Sequence, residues 1–241
     1  MPVQPENARV SKPVFLSAAW RHLSLLNFEV DPAVLMPYVP FGTELDFHEG
    51  KTYVSLVAFI FYRTKALGIA PALFHDTFEE VNLRFYVIRK EADQVKRGVV
   101  FIKEIVPKPL LAWVARRFYR ENYVSMPMAS FIEEGRTYEY QWGSNRLKIN
   151  AQGTPLQAME GSHERWITEH YWGYTKFDSK TSYEYEVRHP VWNLYKVDSY
   201  ELSVEISVLY GDEFRSVLSS KPSVFVANGS DITVHFSRLI A

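Results

Sequence analysis

The chain has 241 residues, 47% of them hydrophobic, 23% charged and 15% aromatic, with a formal net charge of −1 and no cysteine. Those proportions describe a globular protein and exclude disordered, collagen-like and disulfide-stapled classes. Without cysteine there is no thiol nucleophile and no thiolate metal site. The balanced charge argues against general nucleic-acid binding, so no nucleic-acid partner is expected.

The opening segment MPVQPENARVSKP is polar and lacks the apolar core of an export signal. It reads as a flexible tail over residues 1–12 of a cytoplasmic protein. The longest apolar run, Val54 to Phe61, is broken by Ser55 and falls far short of the roughly 20 residues of a membrane helix, so no membrane partner is expected. No linker rich in proline, glycine or serine interrupts the rest. Residues 13–241 are expected to form a single domain.

In chain order, Asp31-Pro32 predicts a helix start, and Pro37 and Pro40 stop that helix soon after Met36. His48-Glu49-Gly50-Lys51 reads as a turn leading into YVSLVAFIFY, Tyr53 to Tyr62, which is apolar on both faces and therefore a central strand. FEEVNLRFYV, Phe78 to Val87, alternates and predicts a strand, as does Val99 to Val106. A second helix is predicted from Pro107–Pro109 through LLAWVARRFYREN, with Leu110, Trp113, Val114 and Arg117 on one stripe and Arg116, Arg120 and Glu121 on the other face. Further strands are expected over Arg136–Trp142, Arg146–Asn150, Arg165–Tyr174, Ser182–His189 and Ile232–Arg238, with alternation also running from Leu202 to Tyr210. Asn228-Gly229 predicts a hairpin turn between VFVA and DITVHF. The fold class that follows is α+β and mostly β: an antiparallel barrel, closed or nearly so, wrapped by a few helices.

The common catalytic motifs are absent. There is no GxxxxGK[ST] loop, GxGxxG turn, HExxH helix or GxSxG elbow. The histidines are scattered without metal-ligand spacing, so neither a metal nor a cofactor is expected. Three stretches carry candidate chemistry instead. On the Phe78–Val87 strand, Glu80, Asn82, Arg84 and Tyr86 share one face and Val81, Leu83, Phe85 and Val87 the other. The polar face could meet solvent or, in a barrel, point into the lumen, where burial or Arg84 would shift the Glu80 carboxyl. The second stretch, ARRFYRENYVSMPM, contributes Arg116, Tyr119, Glu121, Asn122, Tyr123 and Met128. The third joins TEHYWGYT to EVRHPVWNLY, with His170, Trp172 and Tyr174 expected on one strand face and His189-Pro190 before Trp192. Its aromatics supply packing area and could line a site for a flat or carbon-rich ligand.

The phrases LNFEVDPAVLMPYVPFGTELDFHEGKTYVSLVAFIF, HDTFEEVNLRFYV, RGVVFI, ARRFYRENYVSMPM and TEHYWGYT, leading to EVRHPVW, resemble the bacterial YqjF-like family of uncharacterised proteins. That family is similar, more distantly, to the acetoacetate decarboxylase-like superfamily. The resemblance implies a cone-like β-barrel with the site inside it, and it allows a homo-oligomer that no residue here specifies. It nominates Glu80, through Phe78-Glu79-Glu80-Val81, as an active-site carboxylate. Where the decarboxylases carry a Schiff-base lysine after a proline, this chain has Pro127 followed by Met128 and Ala129. A thioether cannot form an imine, so the fold is implied without that activity; Lys103 is the one strand lysine left open.

Three readings follow. In the first, Glu80, Tyr119 and His170 perform acid–base chemistry on a small carbonyl-containing or aromatic compound, held by Asn82, Arg84, Arg116, Glu121, Tyr123, Met128, Tyr174 and Trp192. In the second, the same residues make a non-catalytic binding or sensor protein for a small-molecule ligand. In the third, the polar strand face simply meets solvent in a structural module.

Overall fold

The computed structural model describes residues 13–66, 77–109 and 122–241. The strands are β1 (Val14–Val30), β2 (Glu44–Leu45), β3 (Thr52–Ala66), β4 (Phe78–Lys90), β5 (Val95–Val106), β6 (Tyr123–Ser125), β7 (Met128–Glu133), β8 (Thr137–Trp142), β9 (Asn145–Gln157), β10 (Trp172–Lys176), β11 (Ser182–Arg188), β12 (Asn193–Ser203), β13 (Ser223–His235) and β14 (Arg238–Ile240). The predicted first helix is present at Pro32–Leu35, where the Asp31 carboxylate accepts a hydrogen bond from Ala33 N at 2.8 Å and caps it. The second predicted helix falls almost wholly on residues 110–121, which lie outside the described residues, as does the predicted tail. No helix among the described residues is long and apolar enough to cross a membrane.

The sheet runs β11-β10-β5-β4-β3-β1-β13, and a further pairing of β11 with β13 closes this path on itself in a ring-like manner. The closing contact is short, Val187 against Val234 and Arg188 against Thr233. Beyond β13 the sheet continues through β12, β9 and β8 to β7. Two apolar cores result. One gathers side chains from β1, β3, β4, β5, β11 and β13 on the ring side of the sheet. The other lies between the opposite faces of β1, β3, β4 and β5 and the residues of β8 and β9.

The ends of β4, β5, β10, β11 and β14 are tied by one buried carboxylate. Glu184 accepts from Lys96 (3.0 Å), Arg89 (3.0 Å), the Tyr174 hydroxyl (3.0 Å) and Arg238 (2.6 and 2.9 Å). Burial works to raise its pKa, but these cationic donors outweigh it and hold the carboxyl below its ordinary value. Lys96 also sits 4.2 Å from the Trp172 ring centroid, which leaves the cluster with its donors and acceptors matched.

Three expectations are corrected. Asn228-Gly229 is not a hairpin: β13 passes straight through it, with Arg21 opposite Gly229 and Leu23 opposite Ala227 on β1. Gly229 has φ +81°, and a Cβ there would lie 2.0 Å from the Trp20 carbonyl oxygen. The glycine therefore serves a close approach of two strands rather than a chain reversal. The stretch Arg165–Tyr174 is not one strand. Ser162 caps a helix at His163–Thr168 by accepting from Arg165 N at 3.2 Å, and β10 begins only at Trp172. The alternation from Leu202 to Tyr210 likewise breaks after Ser203, where Glu205 N donates to Asn145 Oδ1 at 2.8 Å and a helix forms over Ile206–Leu209. Ile206, Leu209 and Tyr210 satisfy a helical spacing as readily as an alternating one. The stretch Ile232–Arg238 divides into the end of β13 and the start of β14.

Because the strand contact at Gly229 has no room for a side chain, Gly229→Ala is expected to cost roughly 2–3 kcal/mol. A urea titration checks this through a lowered midpoint at unchanged slope.

Candidate functional site

Both faces of β4 are buried. Val81, Leu83, Phe85 and Val87 are fully enclosed in the core beneath β8 and β9. On the ring side, Glu80 is 3% exposed, Asn82 1%, Arg84 7% and Tyr86 1%, so this polar face does not meet bulk solvent. Period-two geometry dictates the result: once β3 and β5 flank the strand and both faces are covered, every second side chain turns into the ring.

The polar groups are matched unevenly. Asn82 Nδ2 donates to Glu80 Oε1 at 2.9 Å, and the Tyr123 hydroxyl donates to Glu80 Oε2 at 3.3 Å. Tyr123 reaches Glu80 because β6 runs parallel beside β5, pairing Tyr123 with Glu104. Glu104 stands opposite Asn82 and is 1% exposed, a second buried carboxylate on this face. By contrast Asn82 Oδ1 and Arg84 Nε have no hydrogen-bond partner among the described residues. Arg84 lies 6.0 Å from the centroid of the Tyr86 ring.

Tyr86 begins a polar row that crosses the sheet. Ser55 Oγ donates to Asn27 Oδ1 at 2.6 Å, so its single proton is used there and the Tyr86 hydroxyl donates to Ser55, also at 2.6 Å. Asn27 Nδ2 continues the row to the Ser223 carbonyl at 3.2 Å.

His170 packs 4.5 Å from Tyr86 and 5.2 Å from Trp166, centroid to centroid. Its Nε2 lies 3.1 Å from Asp46 Oδ2, to which Arg97 Nε also donates at 2.9 Å. Burial lowers the His170 pKa to about 4, with Arg97 and Arg84 acting in the same direction and Asp46 against them. Burial works to raise the Asp46 carboxyl, yet His170 and Arg97 outweigh it and keep it below its ordinary value. Trp192, 3% exposed, donates from Nε1 to Ser230 Oγ at 2.9 Å and stacks on His189 at 4.2 Å. Burial is also the main cause that lowers the His189 pKa, and Arg84 adds to it.

Of the residues singled out in the sequence, Glu80, Asn82, Arg84, Tyr123, His170 and Trp192 line the ring side. Tyr174 and Met128 belong to the other core, Tyr174 bonded to Glu184 and Met128 half-buried on β7. His170 precedes β10, so it does not share a strand face with Trp172 and Tyr174 as expected. Arg116, Tyr119 and Glu121 lie outside the described residues. Lys103 pairs with Leu83 at a bulge of β5 and so lies on the opposite face from Glu80 and Arg84. The carbonyl left free by that bulge is met by Asn122, whose Nδ2 donates to Ile102 O at 3.0 Å. The sequence reading overlooked Asp46, Arg97 and Glu104. Asp46 sat within the phrase TELDFHEG with no pattern to mark it, and Glu104 occupied one slot of a strand read only for its apolar residues.

Comparison with solved structures defines the class. Acetoacetate decarboxylase from Legionella pneumophila aligns over 100% of this chain and 92% of its own, with a TM-score of 0.65 at 15% identity. The enduracididine biosynthesis enzyme MppR, complexed with pyruvate, aligns over 100% of this chain and 96% of its own, with a TM-score of 0.64 at 11% identity. The fold is acetoacetate decarboxylase-like. Residues 17–231 match the DUF2071 family, described as an uncharacterized conserved protein, and the chain belongs to that family. It is similar to the uncharacterized protein YqjF of Bacillus subtilis (strain 168), at 28% identity over 194 residues, 77% of this chain and 76% of that protein.

The buried histidine sets a pH dependence. His170 binds its proton with a pKa of about 4 when folded and about 6.5 when unfolded. Between those values the unfolded chain binds more protons, so stability is complete above about pH 6.5 and falls as the pH drops towards 4. His170→Gln is expected to flatten that slope, which denaturation midpoints at several pH values between 7.5 and 4.5 would measure.

Proposed function

We propose that the ring-side face of β4 binds a small carbonyl-containing or aromatic compound bearing an anionic group. One observation carries the reading: Arg84 is a nearly enclosed guanidinium whose Nε has no partner among the described residues, beside an equally unpartnered Asn82 carbonyl. An unpaired charge in such a place costs several kcal/mol, and a bound carboxylate would supply the missing acceptors in a forked geometry that guanidinium matches. Asn82 Oδ1 accepts from a ligand hydroxyl or amine. Glu80, held by Asn82 and Tyr123, and His170 are the proton-transferring groups in the enzymatic form of the reading, and Trp192 supplies an aromatic wall. Arg116, Tyr119 and Glu121, outside the described residues, are proposed for the site on the sequence of ARRFYRENYVSMPM alone. A solved neighbour of this fold, MppR, is complexed with pyruvate, a small 2-oxo carboxylate of this ligand class.

A carrier or sensor would use the same Arg84 chemistry without turnover. The residue after Pro127 is methionine, Lys103 lies on the other strand face, and Lys96 is engaged by Glu184 and Glu91. Among the described residues these three positions offer no amine to this face, which favours either proton transfer alone or binding alone.

Three outcomes are expected. Titration calorimetry with a panel of pyruvate, acetoacetate, phenylpyruvate and benzoate should find a binder, and Arg84→Met should weaken it by about tenfold or more. The same substitution should raise stability by about 1–3 kcal/mol, because it removes a buried guanidinium whose Nε has no partner among the described residues. No binding by any of the four acids, or equal binding by parent and variant, removes Arg84 from the site. Separately, borohydride treatment with each oxo acid should leave the protein mass unchanged; a lysine adduct at full occupancy would show that imine chemistry does operate.

A further inference from the structure

At one rim of the ring the chain builds a groove of about 560 Å³ between the first helix, β2 and the end of β4. Its lining includes Met36, Val39, Thr43, Asp46, Phe47 and Ile88. Asp46 continues the line of β2, with its N–H donating to the Tyr86 carbonyl at 3.0 Å. That pairing puts Asp46 beside Tyr86, and its carboxylate meets His170. Asp46 thus touches the groove on one side and, through an imidazole, the ring-side core on the other.

The geometry points to a proton path from the rim groove through Asp46 and His170 to the ring-side face of β4; it deepens the binding reading above and rests on it. Two features carry it. Asp46 Oδ2 accepts at 2.9 Å from Arg97 Nε and lies 3.1 Å from His170 Nε2, nearer than the 3.4 Å of Arg97 Nη2, which has the Trp166 carbonyl as its own acceptor; the carboxylate therefore favours a proton on Nε2. His170 Nδ1, at the other edge of the ring, is buried and has no partner among the described residues. An imidazole fixed in this tautomer offers a lone pair at one nitrogen and a transferable proton at the other.

The transfer balances without any further reactant. A bound acid gives its proton to Nδ1 as the N–H bond forms, and the imidazolium releases the Nε2 proton to Asp46 Oδ2. The carboxyl then passes that proton to water in the groove and the imidazole is left protonated at Nδ1; from that tautomer the reverse sequence protonates a bound anion and restores the Nε2 proton. The charged and titratable groups around the ring are Asp46, Arg97, Arg84, Tyr86 and His189. The two guanidinium groups disfavour a standing charge on His170, so the ring passes a proton on rather than storing it.

The test uses the ligand-free full chain labelled with ¹⁵N-histidine, so its result is independent of whether any carboxylate binds. At pH 7, His170 is expected to be neutral with its proton on Nε2. That proton should exchange with water at least about tenfold faster than the Trp192 indole N–H, which lies in the same core away from the groove. Asp46→Asn should slow the exchange, and Thr43→Trp, which narrows the groove without touching the Asp46–His170 contact, should slow it too. If Asp46→Asn fails to fold, Thr43→Trp alone decides. A proton on Nδ1, or an exchange rate that Thr43→Trp leaves unchanged, overturns the path.

Discussion

Enclosure of a polar strand face is the constraint on which the rest depends. When β11 pairs with β13, the sheet closes and β4 is covered on both sides. The alternating residues Glu80, Asn82, Arg84 and Tyr86 lose water together, and each must find a partner inside the protein or bear the cost of lacking one. Glu80 finds Asn82 and Tyr123, and Tyr86 finds Ser55. Arg84 Nε and Asn82 Oδ1 find none among the described residues.

The same fold shows what a completed buried charge looks like. Glu184 is as enclosed as Arg84, yet its two oxygens are met by two arginines, a lysine and a tyrosine drawn from four other strands. That cluster binds the ends of strands that are remote in sequence, and nothing in it awaits a ligand. Glu184 and Arg84 therefore differ in how fully a buried charge is met among the described residues: the first is saturated, and the second keeps an unpartnered Nε.

Shared architecture and shared chemistry separate here. Solved neighbours carry the same fold at 15% identity or less, a level at which the sheet persists while individual side chains do not. Met128, half-buried on β7, packs against the other core, away from Glu80. The fold alone therefore says nothing of what the polar groups inside the ring do.

Local pattern was enough for much of the fold. The double-sided apolar run at Tyr53–Tyr62, the alternation at Phe78–Val87 and the cap at Asp31 are each statements about a few neighbouring residues, and each is realised. Local pattern failed where two periods fitted equally, as from Leu202 to Tyr210, or where a residue had two uses, as with Gly229. The direction of the polar face of β4 was open in the sequence, because alternation distinguishes two faces without saying which is wet. Only ring closure decided it. The meeting of Asp46 with His170, 124 residues apart, and of Tyr123 with Glu80 came from strand order and register. Those depend on the global packing of apolar faces, to which no short stretch of sequence has access.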